Sequence, residues 1–117
     1  MRALVFAFVP GLMLAAAAAH AEPIAPNEAA NHIGQNVTVE GTVSEVDHAA
    51  SRGMTFIDMG GHYPNNTFAA IIFKDDAGKF PDVDKLNGKT IDVTGVIRLY
   101  QGRAEIIVND PAQIKIK

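Results

Sequence analysis

Val37-Thr38-Val39-Glu40-Gly41-Thr42-Val43 alternates apolar and polar residues strictly, the period-two pattern of a half-buried strand. Gly41 falls on the apolar phase and Val46 on the opposite one, which predicts a bend or bulge in one long strand. Four more strand-like runs follow: Met54–Met59, Thr67–Phe73, Lys89–Leu99 and Ala104–Val108. In the fourth strand Ile91, Val93, Gly95, Ile97 and Leu99 share a face. Between the runs lie a polar connection, His48 to Arg52, and turn chemistry at Asp75-Asp76-Ala77-Gly78 and Gln101-Gly102. Gly60–Asn66 is too long for a two-residue hairpin, and its Tyr63 is expected to plug the end of the fold, the alternative being a lid folded over the barrel end. Pro26 to Ile33 reads as a short helix stopped by Gly34, and Asp82 to Gly88 as one helical turn with Asp82 near its N-cap. Pro111 ends the fifth strand, and Ile114 and Ile116 alternate with lysines in a short tail.

This order, with a bend in the first strand, a glycine inside the fourth and a helical link between the third and fourth, predicts an all-β, five-stranded OB-fold Greek-key barrel. Closure into a barrel would leave few unpaired strand edges in so small a domain.

The chain opens differently. Arg2, the apolar run Leu4 to Leu14 and the alanines before Ala19-His20-Ala21 form an export signal with a cleavage site before Glu22. The run is short for a membrane span and Pro10-Gly11 interrupts it. The expected mature chain, residues 22–117, is a single periplasmic or secreted domain, expected to be a monomer. With no cysteine it has neither a disulfide nor a lipid attachment site. Removing Arg2 from 10 Lys/Arg leaves 9 against 13 Asp/Glu, a net charge near −4. That balance opposes tight non-specific phosphate binding, which depends on neutralising charge.

The segments "VTVEGTVSEV", "GMTFIDMGG" and "GKTIDVTGVIRLYQGRAEIIV" resemble OB-fold nucleic-acid-binding domains, especially the anticodon-binding type of class II aminoacyl-tRNA synthetases. The likeness covers about 34–116, and its most specific piece is Thr55-Phe56-Ile57-Asp58-Met59. It implies that Phe56 faces outward as a platform on which a base stacks. The Tyr63-Pro64-Asn65 loop and the Tyr100-x-Gly102-Arg103 turn are similar to those of small exported OB-domain proteins.

The alternation itself puts Thr55, Ile57 and Met59 on one face of the second strand, and Met54, Phe56 and Asp58 on the other. Asp58 is expected to face water, and Phe56 with it. Arg52 in the first connection, and Tyr100, Gln101 and Arg103 at the last turn, belong to the loops that flank an OB binding face. Lys74 and Arg98 are further candidate cations. The competing reading of "YQGR" is a hairpin in which Gly102 supplies positive φ.

His48, His62, Met54 and Met59 raise a copper-carrier reading, since thioethers suit Cu(I). Met54 and Met59 fall on opposite faces, however, and the histidines lack ligand spacing, so no metal and no cofactor is assigned. Ser44 and Ser51 sit in no nucleophile elbow, and the chain reads as a non-enzyme. The expected partner is single-stranded nucleic acid or a nucleotide-like ligand, bound across strands one to three. The alternative is an envelope protein or glycan.

Overall fold

The computed structural model describes residues 22–49 and 51–117, so the expected signal segment, 1–21, lies outside the described residues. Seven strands form one ladder: β1 (Asn36–Ala49), β2 (Met54–Met59), β3 (Phe68–Ile72), β4 (Thr90–Val96), β5 (Arg98–Tyr100), β6 (Arg103–Ile107) and β7 (Ile114–Ile116). Their order is β5-β6-β3-β2-β1-β4-β7. β1, β2 and β3 form an antiparallel meander, and β3 then pairs in parallel with β6. Among the described residues four 3₁₀ helices accompany the strands, at Pro26–His32, Lys74–Lys79, Val83–Leu86 and Pro111–Gln113.

The strand count and the closure differ from expectation, because the hydrogen bonds do not close the sheet. Residues 89–99 do not make one strand, since Ile97 divides it. The Ile97 N–H donates to the Gln35 carbonyl at 3.0 Å, and its carbonyl accepts from Gly34 N–H at 2.8 Å. The segment entering β1 thus takes both backbone groups of Ile97, and a ladder has none left to use. β4 turns to β1 and β5 to β6, so the continuous stretch Thr90–Tyr100 reaches both flanks of the sheet. The tail supplies the seventh strand by pairing with β4. Two other boundaries also shift. β1 runs on through His48 to Ala49, and the expected turn at Asp75–Gly78 is part of a 3₁₀ helix.

The phase change in β1 is real, but Gly41 does not cause it. The bulge falls between Val43 and Glu45, beyond the glycine. Gly41 instead admits the N-terminal 3₁₀ helix: a Cβ there would lie 2.6 Å from Pro26 Cγ and 3.0 Å from Met59 Sδ. Gly41→Ala is therefore expected to lower stability by about 1–2 kcal/mol through overpacking, read as a lower urea midpoint at unchanged slope. An unchanged midpoint would mean that Pro26 moves aside freely.

The core fills the concave side of the sheet. Val39, Val43, Ile57, Met59, Phe68, Ala70, Ile72, Ile91, Val93, Ile97, Ile106 and Val108 form one cluster, with Ala29 and Leu86 packed into it from the 3₁₀ helices. Leu99, expected on the same face as Ile91 and Val93, lies past the break and is exposed.

Candidate functional site

The other side of the sheet carries the candidate site. Register fixes which side chains meet there, because directly paired residues share a face. One row crosses five strands: Glu45 on β1, Asp58 on β2, Ala69 on β3, Glu105 on β6 and Arg98 on β5. The next row holds Asp47, Phe56, Ile71 and Ile107. A cavity of about 340 Å³ opens over these rows, near the lower end of the roughly 300–1,000 Å³ usual for small-molecule sites. Seven of the sequence candidates, Arg52, Phe56, Asp58, Arg98, Tyr100, Gln101 and Arg103, line it. Lys74 does not; its stem packs against Gly53, beside the connection that carries Arg52.

Three aromatic rings at the cavity each carry an arginine. The guanidinium carbon of Arg52 is 6.0 Å from the Phe56 ring centroid, that of Arg98 is 5.4 Å from Tyr100, and that of Arg103 is 5.1 Å from Tyr63. These distances lie within cation–π range. Tyr63 is 62% exposed and lines the cavity, so the expectation that it plugs the end of the fold is overturned. Arg103 brings it there: its Nη2 donates to the Pro64 carbonyl at 3.1 Å and its Nε to the Asn66 carbonyl at 3.3 Å. Two further contacts hold this loop to the sheet. Gly61 N–H donates to Ser44 Oγ at 3.1 Å, and His62 Nδ1 lies 2.6 Å from Glu45 Oε1. The hairpin reading of Gln101-Gly102 also holds, with φ of 51° and 79° at the two residues.

Asp58 does not face water. It is 2% exposed. Asn66 Nδ2 donates to its Oδ1 at 3.1 Å, while its Oδ2 makes no hydrogen bond among the described residues. Burial above all, and then the charges of Glu45 and Asp47, push its carboxyl from 3.8 up to about 6; Arg103 and His62 pull the other way. Beyond Ala69 in the same row, Glu105 is as deeply buried but paired, with Arg98 Nε at 2.6 Å and Nη2 at 2.5 Å. The lining therefore balances three arginines against three carboxylates, Asp47, Asp58 and Glu105.

Glu105 and Tyr63 are absent from the sequence candidates. The alternation in Ala104–Val108 carries the signal for Glu105, because Ala104, Ile106 and Val108 point inward and leave Glu105 on the outer face with Phe56. No local signal exists for Tyr63, whose position depends on Arg103 from a distant strand. The histidines go elsewhere. His48 Nε2 lies 2.6 Å from Asp84 Oδ1 and its Nδ1 3.2 Å from Thr55 Oγ1, tying β1 to the 3₁₀ turn Val83–Leu86 beside a second cleft. Among the described residues no three His, Cys, Asp or Glu side chains are grouped as a metal site.

No family model and no curated protein matches the chain. Solved structures do. Asparaginyl-tRNA synthetase from Pyrococcus horikoshii is 15% identical over 81% of this chain, with a TM-score of 0.56. The Entamoeba histolytica asparaginyl-tRNA synthetase is 21% identical over 81% of this chain, with a TM-score of 0.52. An OB domain from Methanosarcina mazei is 16% identical over 73% of this chain, with a TM-score of 0.49. The chain spans 23% of the length of each of the two synthetases. At these identities the likeness to the two synthetases concerns the fold alone, and the β1-β2-β3 meander with the parallel β3–β6 pair makes this an OB-type fold.

Proposed function

We propose that the chain is an exported, non-enzymatic OB-fold binding protein whose ligand is single-stranded nucleic acid or a nucleotide-like molecule. The ligand stacks on Phe56, between the Arg52 connection and the Tyr100–Arg103 turn. One observation carries this reading: a single cavity gathers Phe56, Tyr63 and Tyr100, each beside an arginine. Aromatic rings with adjacent guanidinium groups are the elements by which OB faces hold single strands. The synthetase likeness and the Phe56 strand add to it. The mature product is read as a periplasmic or secreted monomer, residues 22–117.

The charge balance limits affinity and sets the test. The lining offers three cations at most to phosphates, and Glu105 already holds one of them, Arg98. Fluorescence polarisation of labelled oligonucleotides is expected to show weak binding. The plot of log affinity against log salt is expected to be no steeper than about −2, from about −0.7 per phosphate neutralised on a single strand. Absence of binding at low salt would end the nucleic-acid reading. It would favour an envelope protein or glycan, for which the equal numbers of carboxylates and arginines in the lining are the supporting observation.

A further inference from the structure

We propose that Asp58 selects the ligand, accepting an N–H from the edge of the base so that bases with an exocyclic amino group are preferred over thymine and uracil. This rests on the nucleic-acid reading above and adds to it a specificity that the comparisons do not supply.

The site holds an acceptor without a partner, Asp58 Oδ2. Asp58 lines the cavity at 2% exposure, and its Oδ2 makes no hydrogen bond among the described residues. Buried polar atoms are almost always paired, so an exception inside a cavity points to a partner from outside. The surrounding groups do not fill that role. Glu45 and Asp47 face Asp58 from β1 and repel it. On β6, Glu105 is occupied by Arg98, which reaches across from β5. Arg103, also on β6, directs donors to the Pro64 and Asn66 carbonyls. From the loop, His62 is engaged by Glu45, and Asn66 serves only Oδ1.

The floor is shaped for an edge-on guest. Ala69 separates Asp58 from Glu105 in the row, so two carboxylates flank a small side chain across two strand spacings, about 10 Å. Phe56 stands in the next row as the stacking surface. A base stacked there with its edge toward the floor meets acceptors, and its phosphates remain outside, toward Arg52 at the exposed end of the site. An ionised carboxylate has only lone pairs to offer. An amino group donates to it in a charge-assisted hydrogen bond. Thymine and uracil bring carbonyl oxygens on both sides of their one imino N–H, and those oxygens face the carboxylates unfavourably. Phosphate is excluded from the floor for the same reason.

Selectivity depends on ionisation. Protonation turns Oδ2 into a donor, which suits a carbonyl edge and weakens the preference for amino groups. Because the Asp58 carboxyl titrates near 6, the change falls in an accessible pH range. Adenine and thymine do not titrate there, so adenine against thymine is the clean comparison.

The test measures affinities of labelled oligo-dA and oligo-dT for the wild-type chain and for Asp58→Asn, at pH 8 and pH 5. Wild type at pH 8 is expected to prefer oligo-dA by roughly tenfold, the scale of one well-made base contact. That ratio is expected to fall toward one in wild type at pH 5, and in Asp58→Asn at both pH values. A wild-type ratio that is the same at both pH values, or that survives in Asp58→Asn, overturns the assignment of Asp58 while leaving the stacking reading in place. If neither oligonucleotide binds either protein, the nucleic-acid reading itself fails, and this assignment with it. Thermal melts of Asp58→Asn confirm that the compared proteins are folded.

Discussion

Phe56→Ala is expected to weaken oligonucleotide binding about 5- to 150-fold, the equivalent of the ~1–3 kcal/mol that one base–aromatic stack contributes. The ring has no second role of comparable size. It is half-buried on the outer face and does not belong to the core cluster. Its truncation therefore leaves the packing of Ile57, Met59 and Phe68 intact. The stability cost should fall well below the ~3–5 kcal/mol of a fully buried Phe→Ala change. Arg52 loses the ring it lies over, which adds a small further loss at the cavity mouth. Phe56→Tyr keeps the platform and is expected to restore most of the affinity. A titration in which Phe56→Ala binds like wild type would sink the stacking reading. A large drop in melting temperature together with the loss of binding would instead assign Phe56 to the fold.

Phe56 also shows what the sequence could and could not reveal. Period-two alternation is a local signal, and it sorts β2 correctly: Ile57 and Met59 enter the core, while Met54, Phe56 and Asp58 line the cavity. The step from there to solvent fails for Asp58. An outward residue faces water only when nothing covers the outer face. Here the Gly60–Asn66 loop is drawn over it by Arg103, His62 and Asn66, contacts made mostly across long sequence separations. The break at Ile97 is hidden for a similar reason. Nothing in "TGVIRLY" announces that Gly34 and Gln35 will take the Ile97 backbone. Gly41 is visible as an exception to the alternation, but a bulge and a close approach leave the same mark in sequence, and only the position of Pro26 distinguishes them.

Asp58→Asn is expected to stabilise the protein by roughly 2–3 kcal/mol at pH 8, and to change little below pH 4, from about 1.4 kcal/mol for each tenfold change in acid dissociation constant between the folded and unfolded chain. The direction follows from linkage. The folded-state value, about 6, stands above the ordinary 3.8. The unfolded chain therefore gives up this proton at lower pH than the folded chain does. The stability that Asp58 contributes is complete below about pH 4 and is lost as pH rises through 6. Above that, the native state holds a buried charge that the amide of the variant does not carry. The amide still offers an oxygen to Asn66 Nδ2, so the side-chain hydrogen bond from Asn66 is retained. Urea melts of both proteins at pH 4 and pH 8 give the difference directly, and the other carboxylates cancel in the comparison. A variant less stable than wild type at pH 8 would show that Arg103 and Asn66 outweigh the burial cost. Gain of stability with loss of base selectivity, from the same single substitution, would be hard to explain by a structural role. A residue kept for packing does not improve the fold when it is replaced, whereas a residue kept for a ligand can, because its cost is offset only when the ligand is bound.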